Sequence, residues 1–260
     1  MQDKTFIKTV LVHYRKNGRH TLPWRKNITP YRIVVSEIML QQTQVSRVLE
    51  KYSLWMKSYP TLKALSQASF RDVLVLWQGL GYQRRAKALY ELAQKHTRVP
   101  VSYDELCTLS GIGTYTASAI SAFAYDTFSH PLLETNIRTA LIETYHQGEE
   151  KIHDGILYDD LSRLEKSAQV KKLGARIWYY ALMDYGAHLK ASSISHNAKS
   201  VHHVKQSVYK GSVRELRAKV LFAITHGETS PDDERTEGVL EKLVKEGYVI
   251  KKGKRYRISS

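Results

Sequence analysis

One carboxyl group near the amino terminus lies in surroundings that suit acid catalysis. Glu37 shares one face of a predicted helix with Ile33 and Val34, so its side chain should be buried among apolar groups. Removal from water disfavours the charged form of a carboxyl, and we therefore expect Glu37 to hold a proton near neutral pH. Such a group suits general acid catalysis. The alternative is that it pairs with a buried arginine.

A short turn containing Gly111 and Gly113 joins two apolar helical segments. Glycine permits positive φ angles and leaves no side chain to block a close approach. Backbone N–H groups in the turn, together with the positive end of a helix predicted to begin near Thr114, could hold a phosphate. A plain tight turn between packed helices would give the same pattern, so the turn alone does not decide between the two.

Composition points to a folded protein with a polyanionic partner. The chain has 260 residues, of which 42% are hydrophobic, and 40 Lys and Arg face 25 Asp and Glu. The resulting charge of +15 is spread along the chain, which favours nucleic acid, with a membrane surface as the alternative. No segment approaches the roughly 20 uninterrupted apolar residues of a spanning helix, and no signal-like run follows Met1. A cytoplasmic location is expected.

The chain contains one cysteine, Cys107. One thiol can form neither an internal disulfide nor a cysteine-ligated zinc or iron-sulfur site within the chain. This usage is compatible with a reducing compartment.

Apolar residues recur with helical spacing over most of the chain, and we predict roughly ten helices between residues 3 and 190. Thr29 before Pro30 indicates a helix start, and Ser69 and Ser102 are further predicted caps. Residues 190–210 are polar and basic and predict a linker or extended arm. Beyond them, helices at 213–225 and 236–246 and a hairpin at 248–258 predict a small winged helix.

Several motifs appear in a fixed order along the chain. They are Leu22-Pro-Trp-Arg25, Thr29-Pro-Tyr31, Ser36-Glu-Ile-Met-Leu-Gln-Gln-Thr-Gln44, Trp77-Gln-Gly-Leu-Gly-Tyr82 with Arg85-Ala86, and Leu109-Ser-Gly-Ile-Gly-Thr-Tyr-Thr-Ala117. Over roughly residues 5 to 190 this order resembles the MutY-type adenine DNA glycosylases, members of the helix-hairpin-helix (HhH-GPD) glycosylase superfamily.

The resemblance implies a mainly α, two-lobed fold. A glycosylase domain would span residues 1–190, with 22–130 as a six-helix barrel lobe that carries the hairpin and 1–21 plus 131–190 as the second helical lobe. A basic linker at 191–210 and a winged-helix-like domain at 211–260 would follow.

Two carboxylates would perform the chemistry in such an enzyme. The glutamate that matches Glu37 protonates the adenine ring and later helps to activate water. The second carboxylate should be Glu134, in His130-Pro-Leu-Leu-Glu-Thr-Asn-Ile-Arg138, where the family has aspartate before Gly-Asn-Val. The extra methylene shifts the oxygens by about 1 Å, which can cost about 10²-fold in rate. Because Asn136 and Arg138 are retained, we expect a catalytic site with altered or slower activity and not an inactive one.

Tyr115 occupies the hairpin position where bifunctional relatives such as endonuclease III carry a Schiff-base lysine. Without that amine, lyase cleavage of the strand is not expected. Tyr115 could support the sugar or Glu134 by hydrogen bonding, or it could simply pack.

A base inside the duplex must be flipped out before it can be cut. Gln42 and Tyr82 match wedge residues of the family, and Thr43 and Leu80 match residues that contact an opposite 8-oxoguanine. The remaining predicted DNA contacts are Gln41, Gly81, Arg85, Gly111, Gly113, Thr114, Thr116, Asn136, Lys252 and Lys254.

Two parts of the family are missing. Lys190 replaces the first ligand of the four-cysteine iron-sulfur loop, so we expect no cluster, no metal and at most a monovalent cation at the hairpin. The histidines at 188, 196, 202 and 203 match no tight ligand motif. Instead, packing of Trp178, Tyr179, Leu182 and Met183 should stabilise this half. We also expect no counterpart of the larger domain that reads 8-oxoguanine within residues 211–260, which are too short for it; the winged helix could contact flanking DNA or only pack.

Taken with the resemblance, these features predict a monofunctional glycosylase, monomeric and nucleoid-associated, that removes adenine opposite 8-oxoguanine or guanine from duplex DNA. The alternatives are a related specificity, for thymine opposite guanine or for hypoxanthine, and a non-catalytic DNA-binding protein.

Overall fold

The computed structural model describes residues 1–201, 208–227, 233–253 and 255–259. The chain divides into two compact units, the first made of Met1–Glu37 and Pro100–Lys205 and the second of Ile38–Val99 and Gln206–Ser260. The boundaries of these units differ from those of the two lobes predicted from the sequence. The lobe boundaries stay a prediction.

The described chain is mainly helical. Its α-helices are α1 (Gln2–Asn17), α2 (Pro23–Lys26), α3 (Pro30–Leu40), α4 (Val45–Ser58), α5 (Leu62–Ser66), α6 (Phe70–Trp77), α7 (Arg84–Lys95), α8 (Tyr103–Cys107), α9 (Thr114–Tyr125), α10 (Thr135–Tyr145), α11 (Asp154–Glu165), α12 (Ala168–Leu173), α13 (Ala175–Ala191), α14 (Val213–Thr225) and α15 (Glu234–Lys245). The strands β1 (Val249–Lys252) and β2 (Arg255–Ile258) and a 3₁₀ helix (Asn197–Lys199) complete the set.

Local sequence signals set several helix starts. The hydroxyl of Thr29 accepts from the backbone N–H of Arg32 at 3.2 Å, and Pro30 is the first residue of α3. Ser69 and Ser102 cap α6 and α8 through the third residue beyond each. The predicted caps are therefore confirmed. Thirteen α-helices lie before residue 192, more than the ten expected, because the short helices α2, α5 and α12 carry too little periodicity to be recognised.

The first unit is built around α13. Trp178, Tyr179 and Leu182 on this helix are buried, as predicted, whereas Met183 is only half-buried. Gly186 permits a close crossing with α10, because a Cβ at this position would lie 1.9 Å from the carbonyl oxygen of Asn136. The start of α10 is thus held directly against α13.

Part of the predicted linker is folded onto the first unit. The backbone N–H of Ile152 donates to the carbonyl oxygen of Lys199 at 2.9 Å, and the N–H of Val201 donates to that of Ile152 at 3.1 Å. The Ser200 hydroxyl donates to Asp154 at 2.9 Å. Residues up to 201 are therefore packed on the first unit, and the bounds of the linker at 191–210 stay a prediction.

The second unit combines α4 to α7 with the carboxy-terminal elements. Trp55 and Trp77 pack edge to face, with ring centroids 5.6 Å apart. The carboxy-terminal helices and the antiparallel hairpin, with Val249 opposite Ile258, agree with the predicted winged helix.

The carboxy-terminal elements pack on helices of their own unit. Arg71 Nε donates to the carbonyl oxygen of Thr225 at 2.8 Å, and Gln78 Nε2 donates to its hydroxyl at 3.1 Å. Tyr248 is buried, with its ring centroid 5.9 Å from that of Phe70. Packing, one of the two roles considered for this segment, is therefore observed. Within the described residues, no helix has the length and apolar character needed to cross a membrane.

Candidate active site and DNA-contact residues

Glu37 lies on α3 with 6% of its surface exposed. Burial raises the pKa of Glu37 to about 8; the positive charge of Arg25 opposes this shift, and the negative charge of Glu134 adds to it. The carboxyl therefore holds its proton at neutral pH, as the sequence predicted. A protonated acid shielded from water can donate to a leaving group.

Arg25 is a buried cation that pairs with Asp184. Its Nη1 and Nη2 donate to the two carboxylate oxygens at 2.7 and 3.0 Å, and Arg19 Nε donates to the same carboxylate at 2.6 Å. Burial opposes ionisation of Asp184, but the hydrogen bonds and charges of the two arginines hold its pKa below the ordinary value. Among the described residues no salt bridge joins Arg25 to Glu37, which counts against Glu37 being only the partner of a buried arginine.

Glu134 caps α10. Its Oε1 accepts from the backbone N–H groups of Asn136 and Ile137 at 2.8 and 2.9 Å. Its Oε2 accepts from Asn136 Nδ2 at 3.1 Å, so this amide, predicted to contact DNA, is engaged within the protein. The positive end of a helix favours a carboxylate, which is thereby fixed where it could face developing positive charge.

Tyr115 lies in the first turn of α9 and is 36% exposed. Desolvation of its hydroxyl, with the charges of Glu37 and Glu134, raises its pKa well above the ordinary value. In the described chain no hydrogen bond joins Tyr115 to Glu134, so the support considered for Glu134 is not seen. The three groups nevertheless influence one another electrostatically within the first unit.

Sequence reasoning missed Tyr180. Its side chain is buried on α13 and stacks on Phe123, with centroids 4.5 Å apart. The guanidinium of Arg25 lies 4.0 Å from its ring centroid. Burial, and then the charge of Glu37, raise the pKa of Tyr180.

The Tyr180 hydroxyl is buried and has no hydrogen-bond partner among the residues that the structure describes. Buried polar groups are nearly always hydrogen-bonded, so this hydroxyl calls for a partner that the described residues do not provide. No local sequence signal marks it, since a tyrosine on an apolar helix face normally packs.

The hairpin between α8 and α9 agrees with the sequence only in part. Gly111 has a positive φ of 74°, whereas Gly113 has an extended φ of −89°, so only one of the two glycines uses the conformational freedom considered for the turn. No atom lies within 4 Å of a Cβ built on Gly113, which leaves its surroundings open. Thr114 is exposed at the start of α9. Thr116 is 3% exposed, so its side chain offers little surface to DNA, and the predicted contact stays a prediction.

Arg85 is a buried structural residue. Its Nη1 donates to the carbonyl oxygens of Ile38, Met39 and Gln41 at 3.1, 2.8 and 2.6 Å. Its Nη2 donates to the Thr43 hydroxyl and to the carbonyl oxygens of Leu80 and Gly81 at 3.1, 2.7 and 3.1 Å. The prediction that Arg85 binds DNA is contradicted, because these donors are already used and the side chain is buried.

The two predicted wedge residues share an unusual backbone conformation. Gln42 and Tyr82 have φ angles of 53° and 46°, in the left-handed region that bulky residues avoid. Gly81 precedes Tyr82 with φ 71°. Strain of this kind is frequent at ligand clamps. Leu80 is 3% exposed and Thr43 is half-buried, and their contacts with an opposite base stay predictions.

The basic hairpin presents cations to solvent. Lys252 is exposed at the end of β1, where a DNA contact was predicted. Lys254, the other predicted contact, lies outside the described residues. Lys251 and Arg255 are also exposed on this hairpin.

The donor set does not fit a four-cysteine iron-sulfur cluster. The chain has one cysteine, Cys107 in α8, and Lys190 Nζ donates to the Thr135 hydroxyl at 2.8 Å. His188 stacks on His13, with centroids 4.6 Å apart. Over the described ranges no group of three or more His, Cys, Asp or Glu could hold a metal ion. The histidines at 202 and 203 lie outside these ranges.

A family model described as "HhH-GPD superfamily base excision DNA repair protein" matches residues 35–246. The chain belongs to the HhH-GPD superfamily. The match covers both units described above and includes the hairpin, Glu37 and Glu134.

Several curated relatives of this superfamily member are adenine DNA glycosylases. That of Mycolicibacterium smegmatis is 34% identical over 237 residues, covering 84% of this chain and 80% of the relative. That of Buchnera aphidicola subsp. Baizongia pistaciae is 41% identical over 150 residues, covering 56% of this chain and 42% of the relative. The resemblance to MutY-type glycosylases is thus confirmed, although the chain spans less than half the length of some of these relatives.

Solved structures agree on the fold. A thermostable thymine-DNA glycosylase superposes with a TM-score of 0.61 at 22% identity, covering 76% of this chain and 92% of that one. A 3-methyladenine DNA glycosylase of H. pylori superposes with a TM-score of 0.57 at 15% identity, covering 75% and 100%. At these identities the likeness concerns the fold alone, and the predicted mainly α HhH-GPD fold is confirmed.

Proposed function

We propose that this protein is a base-excision DNA glycosylase that removes adenine opposite 8-oxoguanine or guanine. The observation that carries the proposal is the burial of Glu37, which raises its pKa to about 8, together with the carboxylate of Glu134 held at the start of α10. The adenine glycosylases among the relatives support the choice of base.

The two carboxyl groups divide the reaction between them. Glu37 gives its proton to a ring nitrogen of the flipped adenine, so that the base leaves with the electron pair of the glycosidic bond. Positive charge then develops on the sugar, and the negative Glu134 stabilises it. The Glu37 carboxylate takes a proton from the water that attacks the sugar, which regenerates the acid. The product is an abasic site.

We further propose that the enzyme is monofunctional. Tyr115 provides no amine at the position where bifunctional relatives have a lysine, and a Schiff base requires one. The strand should therefore stay intact after the base leaves.

The wedge residues and the hairpin would make the base accessible to the catalytic carboxyls. Gln42 and Tyr82 would fill the duplex beside the extruded nucleotide. The backbone N–H groups around Gly113 and the exposed start of α9 would hold a phosphate, with or without a monovalent cation. The partner is duplex DNA of the nucleoid, bound by a monomer without an iron-sulfur cluster.

The test is an excision assay on four labelled duplexes: adenine opposite 8-oxoguanine, adenine opposite guanine, thymine opposite guanine, and hypoxanthine. Breaks that appear only after alkali indicate a monofunctional glycosylase, and breaks without alkali indicate lyase activity. We expect release of adenine, lost in Glu37→Gln while DNA binding persists. Release of thymine or hypoxanthine alone would replace the proposed specificity. Binding without release from any duplex would support the non-catalytic alternative.

A further inference from the structure

A groove of about 730 Å³ runs along α1 in the first unit. We call it the α1 groove; its walls are α1 and, through Tyr185 and His188, α13. Lys4, Lys8 and Lys16 line it, and no Asp or Glu of the described chain does so. A concave surface with positive charge and no carboxylate is complementary to an anion.

The three lysines form a row along one side of the helix. Lys4 and Lys8 are four residues apart, which places them on neighbouring turns, and Lys16 follows about two turns later. All three are exposed, and Asp3, the acid of α1, is already paired with Arg163 at 3.0 Å. Like charges on neighbouring turns repel each other, so this row is unfavourable for the helix by itself. An anion in the groove would relieve the repulsion.

The other lining groups favour phosphate over carboxylate as the anion. Thr5, Thr9 and Asn17 lie in the groove with the lysines, and hydroxyl and amide groups are common donors to the phosphates of DNA. The carboxylates of a protein partner are held best by the fork of an arginine, and protein interfaces centre on arginine or aromatic anchors. Among the described residues no arginine lines the groove, and the ring of Tyr185 packs edge to face on Phe6, with centroids 6.3 Å apart. A phosphate backbone therefore fits this lining better than an acidic polypeptide.

Two histidines stack where α1 and α13 meet. The ring centroids of His13 and His188 are 4.6 Å apart. Burial, and then the charge of His188, lower the pKa of His13, against the opposing charge of Asp184. His13 is therefore uncharged at neutral pH, and the lysines supply the positive charge of the groove.

The α1 groove lies on a different side of α13 from Glu134. His188, which lines the groove, and Lys190 are two residues apart, or about 200° around the helix. Lys190 Nζ donates to the hydroxyl of Thr135, the residue after Glu134, at 2.8 Å. We therefore expect DNA that presents a base to the candidate catalytic carboxyls to leave the groove free.

We propose that the α1 groove binds the phosphate backbone of a second DNA duplex while a first duplex occupies the catalytic site. The inference goes beyond the proposed function, because it concerns a surface that cleavage of the base does not use. Lysines that neutralise phosphates read no bases, so this contact is independent of sequence. A protein with two such surfaces can pass from one duplex to another without first dissociating into solution.

The experiment compares two doubly substituted chains, each in a Glu37→Gln background that keeps the DNA intact. The groove variant carries Lys4→Gln and Lys8→Gln, and the control variant carries Lys171→Gln and Lys172→Gln. The control lysines are exposed on α12 in the same unit and do not line the groove. Glutamine and lysine have similar helix propensities, so both variants should fold, and thermal unfolding verifies this.

Two short duplexes with different dyes serve as probes. The first contains adenine opposite 8-oxoguanine and is added to saturation, and the second is undamaged. Sedimentation followed at both dye wavelengths detects a complex of one chain with two duplexes. Titration of the second duplex at several salt concentrations gives the affinity of this step and its salt slope.

We expect the Glu37→Gln parent to bind the second duplex with a Kd of about 10⁻⁶ to 10⁻⁴ M. The groove variant should weaken this step at least about tenfold and reduce its salt slope by about two, while the control variant leaves both unchanged. A parent chain that never binds two duplexes, or equal weakening in the two variants, would overturn the proposal.

Polyglutamate is titrated in place of the second duplex. Tighter binding of polyglutamate than of DNA, lost in the groove variant, would assign the groove to an acidic protein and would also overturn the proposal. If the wild-type chain releases no base from any duplex, the proposed function fails by itself, and the complex with two duplexes still decides the role of the α1 groove.

Discussion

The guanidinium of Arg85 donates a 2.6 Å hydrogen bond to the backbone carbonyl of Gln41, forty-four residues away. Its other terminal nitrogen donates to the carbonyl of Leu80 at 2.7 Å. One buried cation therefore fixes the two turns that carry Gln42 and Tyr82. Burial lowers the pKa of Arg85 to about 10, which still leaves it charged at neutral pH.

Replacing Arg85 should disturb both turns at once. Arg85→Ala leaves several buried carbonyl oxygens without a donor, so we expect the free energy of unfolding to fall by about 3 kcal/mol or more. Excision from duplex DNA should fall at least tenfold. The strained φ angles of the wedge candidates Gln42 and Tyr82 persist only where their surroundings enforce them, and Arg85 is part of those surroundings. Urea unfolding and single-turnover assays check this, with Lys95→Ala, at an exposed position of the same helix, as the control. If Arg85→Ala is destabilised but excises at the wild-type rate, Arg85 stabilises the fold and is not needed to open the base pair.

Local signals in the sequence were enough for much of the fold. The caps at Thr29, Ser69 and Ser102 depend on residues three positions apart, and such contacts can be read from a short window. The raised pKa of Glu37 also follows from its immediate apolar neighbours.

Long-range contacts could not be read in this way. Arg85 resembled a DNA-binding cation because the carbonyls that occupy it are distant in sequence. Arg25 closes a quoted motif, yet nothing in that motif shows that it pairs with Asp184 across 159 residues. Tyr180 was missed because an unsatisfied hydroxyl becomes visible only when all its neighbours are placed.

The rate of excision should report the proton on Glu37. Its pKa of about 8 predicts a single-turnover rate that is flat from about pH 6.5 to 7.5 and falls about tenfold per unit well above pH 8. A stopped assay across this range, with abasic sites revealed by alkali, measures it. A rate that rises through pH 8 would contradict an acid role for Glu37.

The free energy of unfolding should also depend on the protonation of Glu37, and the direction of this pH dependence follows from its raised pKa. The folded pKa of Glu37, about 8, exceeds its ordinary value of 4.5, so the native state binds the extra proton between these values. Stability from this group is complete below about pH 4.5 and is lost as the pH rises through about 8. The free energy of unfolding of Glu37→Gln should therefore increase relative to that of the wild type across this pH window, by at most about 5 kcal/mol. Denaturant unfolding at about pH 6 and pH 8.5 tests the trend.

Asp184 should be needed to hold Arg25 in place. Asp184→Asn leaves the buried Arg25 and the partly exposed Arg19 without their counter-charge, and removing one partner of a buried pair costs about 3–5 kcal/mol. Because the folded pKa of Asp184 is lowered, its contribution is present above the unfolded pKa and is lost as the pH falls through the folded one. The deficit of Asp184→Asn against wild type in urea unfolding should thus shrink in acid. A deficit that grows in acid would be inconsistent with the ion pair.

Glu134 can be tested by charge and by length. Glu134→Gln keeps a side-chain acceptor for the cap of α10 but removes the charge, so excision should fall about 100-fold with little change in stability. Glu134→Asp keeps both charge and cap and should retain activity within about tenfold of the wild type, in either direction. Single-turnover rates together with thermal unfolding distinguish the two. Equal rates for Glu134→Gln and the wild type would exclude the proposed electrostatic role.

Removing the hydroxyl of Tyr180 should affect the stability of the protein and the rate of excision differently. Removal of a buried hydroxyl that lacks a partner in the described chain should leave the free energy of unfolding unchanged or raise it by about 1 kcal/mol in Tyr180→Phe. If the flipped base supplies the missing partner, excision should nevertheless slow about tenfold.

Its neighbour on α13 provides the matched control. The hydroxyl of Tyr179 accepts from the backbone N–H of Leu132 at 2.9 Å and donates to Glu165. Tyr179→Phe should therefore lose about 1–3 kcal/mol of stability while the folded enzyme keeps its rate. Urea unfolding and single-turnover excision of both variants give the comparison. Wild-type excision by Tyr180→Phe would mean that the base does not use this hydroxyl.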